Sequence, residues 1–268
     1  MNNTQMYYPQ FSKLFSANVI KDILSMEKSN DINKLLHVVP FEINNTYTYR
    51  NFFDDLYSLL KENYRNEYIF KNEFLLTLLK KEYKTKHTFL QEVRIGDNIA
   101  DMVVVNGKSI AYEIKTEFDS FVRLEGQLKS YLKVFDKIFM VVSENHLQKL
   151  EQLLLDEKYS CIGIYVLKNN QIKSYKKATD NLDVDPKYYK DIINYSELNK
   201  INLTFEDLES LPYKKSSKVF RDILKKREKN GTLLIKDIPN SLKSLVSRMK
   251  LLKWQKERLV KKLDISVR

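Results

Sequence analysis

The 268-residue chain has one cysteine, Cys161, which excludes an intrachain disulfide and a cysteine-built zinc site. Five glycines and five prolines are too few for a collagen-like, linker or low-complexity chain. The longest apolar runs, such as Ile138–Val142, fall far short of the ~18 residues a membrane-spanning helix needs. The opening Met1-Asn2-Asn3-Thr4-Gln5 has no basic segment followed by an apolar one, so no secretory signal is legible. These absences point to a cytoplasmic protein with no membrane partner.

The chain does have material for a core: 43% hydrophobic residues and 12% aromatics, in a length that fits one or two domains. Its net charge of +11 is unevenly spread. From Tyr213 to Arg268 there are 18 Lys+Arg against 5 Asp+Glu, or +13, so the rest of the chain is close to neutral. Such asymmetry favours a polyanion partner for the last fifth of the chain, although the same lysines would also serve a solvated helical surface. Trp254, within this segment, reads as packing between helices rather than as a base-stacking platform.

Hydrophobic spacing predicts helices over 10–37, 50–63 and 66–83. The period then changes. Thr88–Ile95 and Ile99–Val105 read as strands, and Asn106-Gly107 is a hairpin signal. Ser109–Lys115 alternates, with Ile110, Tyr112 and Ile114 on one face and Glu113 and Lys115 on the other. A helix follows over 121–135, then a buried strand over 137–143, a helix over 147–155 and a strand over 161–167. Gln171–Tyr175 would pair with that last strand across Asn169-Asn170. The order α-β-β-β-α-β, then α-β, predicts an α/β protein with a mixed sheet covered by helices on both faces.

Within that frame, Asp101 and Glu113-Ile114-Lys115 stand out. Two converging carboxylates make a hard oxygen site suited to Mg²⁺ or Mn²⁺, and a lysine beside it can orient water or offset phosphate charge. The hairpin sets a condition. A two-residue Asn106-Gly107 turn would put Asp101 and Glu113 on opposite faces, whereas an odd-length loop closed by a left-handed Gly107 unites them. Gln127 and Tyr131, four apart on the next helix, project together and could hold the lysine or a phosphate. The plainer readings are a solvated Glu–Lys pair, a strand-end Asp101 and a packed-helix Gln127/Tyr131. His37, His87 and His146 have no ligand-like spacing.

Asp101…Glu113-x-Lys115 followed by Gln127-x-x-x-Tyr131 resembles the PD-(D/E)XK nuclease superfamily, with the Gln-x-x-x-Tyr motif of its RecB-nuclease-like branch. The stretch from Tyr64-Arg65-Asn66-Glu67-Tyr68 through Leu124-Glu125-Gly126-Gln127 to Val134-Phe135-Asp136 is similar to a family of small bacterial proteins within it. Ala100 stands where the motif's name has proline. The resemblance implies a restriction-endonuclease-like αβββαβ core and Mg²⁺- or Mn²⁺-dependent hydrolysis of nucleic acid, DNA foremost. It implies Asp101, Glu113 and Glu67 as metal ligands, Lys115 as catalytic lysine, and Gln127 and Tyr131 as its support.

The expected organisation is an N-terminal helical region (1–63), a nuclease core (64–176), a polar connecting segment (177–212) and a basic helical region (213–268) contacting nucleic acid. The alternative is a non-catalytic nucleic-acid-binding or partner-binding protein of a mobile element, phage or defence system. In that reading the N-terminal helices (1–63) would bind a partner or regulate access, and a protein partner or a homodimer is expected.

Overall fold

A computed structural model describes residues 3–25, 29–82, 87–168, 171–227 and 237–267. The chain divides into two compact units. The first takes residues up to 80 and again from 229, and the second takes the stretch between.

The second unit is built on a six-stranded mixed sheet in sequence order: β1 (Thr88–Ile95), β2 (Asn98–Asn106), β3 (Lys108–Lys115), β4 (Lys137–Ser143), β5 (Gly163–Lys168) and β6 (Gln171–Lys176). The β1–β2, β2–β3 and β5–β6 pairs are antiparallel, while β3–β4 and β4–β5 are parallel. The α/β class and mixed sheet expected from the sequence are therefore present. The expected Asn169-Asn170 turn lies outside the described residues.

The parallel steps need crossovers. β3 and β4 are joined through a helix over Leu124–Leu132, and β4 and β5 through one over Leu147–Leu153. Val103, Val105, Ala111, Ile138, Met140, Val142, Ile164 and Val166 supply one sheet face to a buried cluster. Leu124, Leu128, Tyr131 and Leu132 of the first crossover helix belong to the same cluster.

Two sequence expectations change here. Residues 177–212 are not merely a polar connection: Tyr189, Ile192, Ile193, Leu198, Phe205 and Leu208 join the sheet unit's core. Nor does the basic region form one body. Its first helix, Tyr213–Lys226, packs Phe220, Ile223 and Leu224 into that core, with Phe220 stacked on Tyr189 at 4.2 Å between ring centroids. Apolar residues at helical spacing decide this placement despite the surrounding lysines.

The first unit is helical. In chain order its elements are α1 (Tyr8–Lys13), α2 (Ala17–Ser25), α3 (Asn30–Leu35), α4 (Tyr49–Asn63) and α5 (Glu67–Glu82). The sheet unit's helices are then α6 (Leu124–Leu132), α7 (Leu147–Leu153), α8 (Tyr195–Asn199), α9 (Phe205–Ser210) and α10 (Tyr213–Lys226). The chain returns to the first unit with α11 (Lys243–Arg248) and α12 (Lys253–Leu263).

The expected 10–37 helix is broken into α1, α2 and α3. Phe11, Phe15, Ile20, Phe52, Phe53, Leu56, Leu259 and Leu263 share one core. Polar contacts join distant sequence: the Asn72 amide nitrogen donates to Asn240 O at 2.8 Å, and Ser244 N–H donates to Asn72 Oδ1 at 2.9 Å. Such contacts, together with Ile69 in this core, place α5 with the helices rather than within a 64–176 body. Trp254 is not packed inside; it is 55% exposed.

Candidate active site

The site begins with register. Val105 pairs with Ser109, Asn106 with Lys108 and Met102 with Tyr112, so Asp101 stands opposite Glu113. Gly107 lies between the paired Asn106 and Lys108 with φ of +64°, a left-handed conformation natural to glycine. This is the odd-length turn that the pairing of the two acids required. Asp101 Oδ2 accepts the Ile114 N–H at 2.8 Å, so the side chain also satisfies a backbone donor where the regular pairing ends.

Glu113 is buried at 2% exposure between the sheet and α6. Its Oε1 accepts from Lys115 Nζ at 2.8 Å and from Gln127 Nε2 at 2.7 Å. Lys115 Nζ also donates to Gln127 Oε1 at 3.2 Å, closing a three-membered ring of side chains. Tyr131 Oη lies 2.7 Å from Glu113 Oε2 and 2.8 Å from the Ile99 carbonyl oxygen. The i,i+4 spacing on α6 thus brings Gln127 and Tyr131 onto the two oxygens of one carboxylate.

The link from Lys115 to α6 is itself fixed. Asp119 Oδ2 accepts from Thr116 N–H at 2.8 Å and Thr116 Oγ at 2.7 Å, while Phe121 is buried.

Burial first, and then the neighbouring Asp101 charge, push the Glu113 carboxyl up to about 7; Lys115 opposes the shift. Burial and the adjacent carboxylate also raise the Tyr131 hydroxyl, which stays protonated. A buried acid destabilised by a second acid is a setting that a cation would relieve.

The donor chemistry fits such a cation. An ionised carboxylate offers about four lone-pair positions. Two on Oε1 and one on Oε2 receive the named donors, leaving one on Oε2. Among the described residues, however, no group of three or more His, Cys, Asp or Glu side chains could hold a metal. Asp101 and Glu113 would be its protein ligands here.

Glu67, the third acid implied by the resemblance, opens α5 in the helical unit and pairs with Lys71 Nζ at 2.6 Å. Sequence reasoning passed over Glu92. The pairs Gln91–Met102 and Val93–Ala100 put Glu92 at the register position facing Asp101, with a left-handed φ of 53°. The alternation of Thr88–Ile95 gives no signal of that backbone reversal.

A family model described as bacteriophage P4 protein cII matches residues 60–261. The chain belongs to the bacteriophage P4 protein cII family. Among the relatives of this P4 cII family member, protein cII of enterobacteria phage P4 is 38% identical over 66 residues, which cover 24% of this chain and 25% of that protein. The match thus spans about a quarter of the curated relative's length. A solved protein of unknown function from Silicibacter pomeroyi aligns with a TM-score of 0.30 and 15% identity, covering 47% of this chain and 84% of its own. At that score the likeness carries no structural argument.

Proposed function

We propose that this P4 cII family member is a metal-dependent nuclease of the PD-(D/E)XK type, acting in the cytoplasm on nucleic-acid phosphodiesters, with DNA as the first substrate to test. The observation that carries the reading is Glu113: a buried carboxylate opposite Asp101 and held at once by Lys115, Gln127 and Tyr131.

Asp101 and Glu113 would hold Mg²⁺ or Mn²⁺. When bound, that ion supplies Lewis-acid polarisation of a phosphate oxygen and an acidified water. Lys115 has three N–H donors, two of which serve Glu113 and Gln127. The third is left for the attacking water or a phosphate oxygen. Gln127 acts as a positioning residue: its carbonyl holds Lys115 while its amide holds Glu113. Tyr131 fixes the second oxygen of Glu113.

The test is a cleavage panel on linear, circular and single-stranded substrates with Mg²⁺ and Mn²⁺, run beside Lys115→Met and Glu113→Gln. Metal-dependent cleavage that both substitutions abolish is expected. Cleavage unchanged in both variants would sink the reading.

A second reading, non-catalytic binding on the same fold, draws on one observation: among the described residues, no group of three or more His, Cys, Asp or Glu side chains is arranged to hold a metal. Tight nucleic-acid binding with no cleavage across the panel would favour it.

A further inference from the structure

Trp254, Arg258 and Lys261 follow one another at i, i+4 and i+7 along α12 and so share one face of the helix. The opposite face carries Leu259 and Leu263, both fully buried. Trp254 is the only tryptophan in the chain and is 55% exposed. Among the described residues, its ring stacks on no other ring. Lys250, Lys253, Arg258 and Lys261 are exposed around it.

From Lys253 to Leu263 the helix has five cations and one acid, Glu257. The next acid, Asp264, is engaged by Arg50 Nε at 2.8 Å. An exposed indole therefore shares its helix face with the exposed cations Arg258 and Lys261, in a segment rich in positive charge.

We infer that this face of α12 binds single-stranded nucleic acid, with Trp254 stacking on an unpaired base and Arg258 and Lys261 contacting the flanking phosphates. Charge complementarity selects a polyanion. The indole selects the single strand, because an unpaired base offers its π-face whereas a base inside a duplex is covered by its neighbours. From Trp254 to Lys261 the helix rises about 10 Å, the span of roughly three stacked nucleotides. The inference shares with the proposed function only its choice of nucleic acid as partner. It needs neither Glu113 nor Lys115.

The full chain is titrated in EDTA, so hydrolysis plays no part, with an oligo-dT 20-mer, a blunt 20-base-pair duplex and anionic phosphatidylserine vesicles. Trp254 fluorescence is the reporter. Saturable quenching by oligo-dT is expected, with at least fivefold weaker binding to the duplex and no response to vesicles. With a dye-labelled oligo-dT read by anisotropy, Trp254→Ala should weaken binding about five- to hundredfold, while Trp254→Phe retains most of it. Arg258→Ala with Lys261→Ala should lower the log–log salt slope by about 1.4.

Absence of quenching, equal or tighter duplex binding, or a response to vesicles alone would overturn the inference. So would unaltered oligo-dT binding by Trp254→Ala. An inactive protein that still shows the Trp254-dependent signal would refute the nuclease reading and leave this one standing. Cleavage without that signal would do the reverse.

Discussion

Tyr131 Oη sits between two oxygens, 2.7 Å from Glu113 Oε2 and 2.8 Å from Ile99 O. A phenol has one proton and can donate it to only one of them. In the ionised, cation-binding form Tyr131 donates to only one of them, whereas without a cation both contacts become hydrogen bonds when Glu113 is protonated on Oε2: the carboxyl donates to Tyr131, and Tyr131 donates to the Ile99 carbonyl. This count agrees with the upward push on Glu113 from burial and Asp101.

A sign for pH dependence follows from that push. The carboxyl moves from 4.5 to about 7 on folding, so the folded state holds the proton more tightly. Its contribution to stability is full below 4.5 and is lost as pH rises through about 7. In Glu113→Gln, the amide can donate to Tyr131 at every pH. The melting temperature of the wild type relative to this variant should therefore fall between pH 4.5 and 7.5. A constant difference across that range would show that Glu113 is ionised throughout.

Gln127→Ala should separate positioning from folding. The substitution removes one acceptor from Lys115 and one donor from Glu113 at a half-buried position. The expected stability loss is about 2–3 kcal/mol, the net value of two hydrogen bonds. Under the nuclease reading, the freed lysine should lower the cleavage rate by about 10- to 100-fold. Single-turnover rates and urea unfolding on the same preparation test both halves. An equal loss of activity and of folded protein would reduce Gln127 to a packing role.

Much of this site was legible because it rests on short-range rules. Period-two alternation put Glu113 and Lys115 on one face, and the left-handed Gly107 restored Asp101 to it. Helical spacing joined Gln127 to Tyr131. What escaped depends on partners distant in sequence. The 177–212 stretch looks polar because its apolar residues are scattered, yet Tyr189 finds Phe220 and Ile193 enters the sheet unit's core. Lysine-rich composition likewise hid that α10 and α12 serve different units.

Glu92 offers a test of stored backbone strain. A non-glycine residue in the left-handed region costs roughly 1–2 kcal/mol, and Glu92 holds φ of 53° within β1. Glu92→Gly should relieve that strain and hold or raise the melting temperature, against the usual penalty for glycine in a strand. Glu92→Val should lower it, because a β-branched residue is poorly suited to positive φ. If Glu92→Gly instead destabilises the protein by more than about 1 kcal/mol, the side chain contributes more than the backbone withholds.

Asp136 gives the strongest stability prediction. It is 7% exposed, and its Oδ2 accepts from Ser109 N–H at 2.6 Å, Ser109 Oγ at 2.9 Å and Arg221 Nη1 at 3.3 Å. Its Oδ1 accepts from the Tyr213 hydroxyl at 2.5 Å. One carboxylate thereby joins the start of β3 to two residues of α10. Asp136→Ala would strand the buried Ser109 N–H and leave Arg221, itself half-buried, without its acid. A loss of about 3–5 kcal/mol is expected, as when one partner of a buried pair is removed. Arg221→Ala should cost less, because the Ser109 and Tyr213 donors still satisfy the acid. Urea unfolding should rank the two variants in that order. The reverse order would mean that Arg221 holds α10 through contacts other than Asp136, and small losses in both variants would mean that Phe220, Ile223 and Leu224 hold it alone.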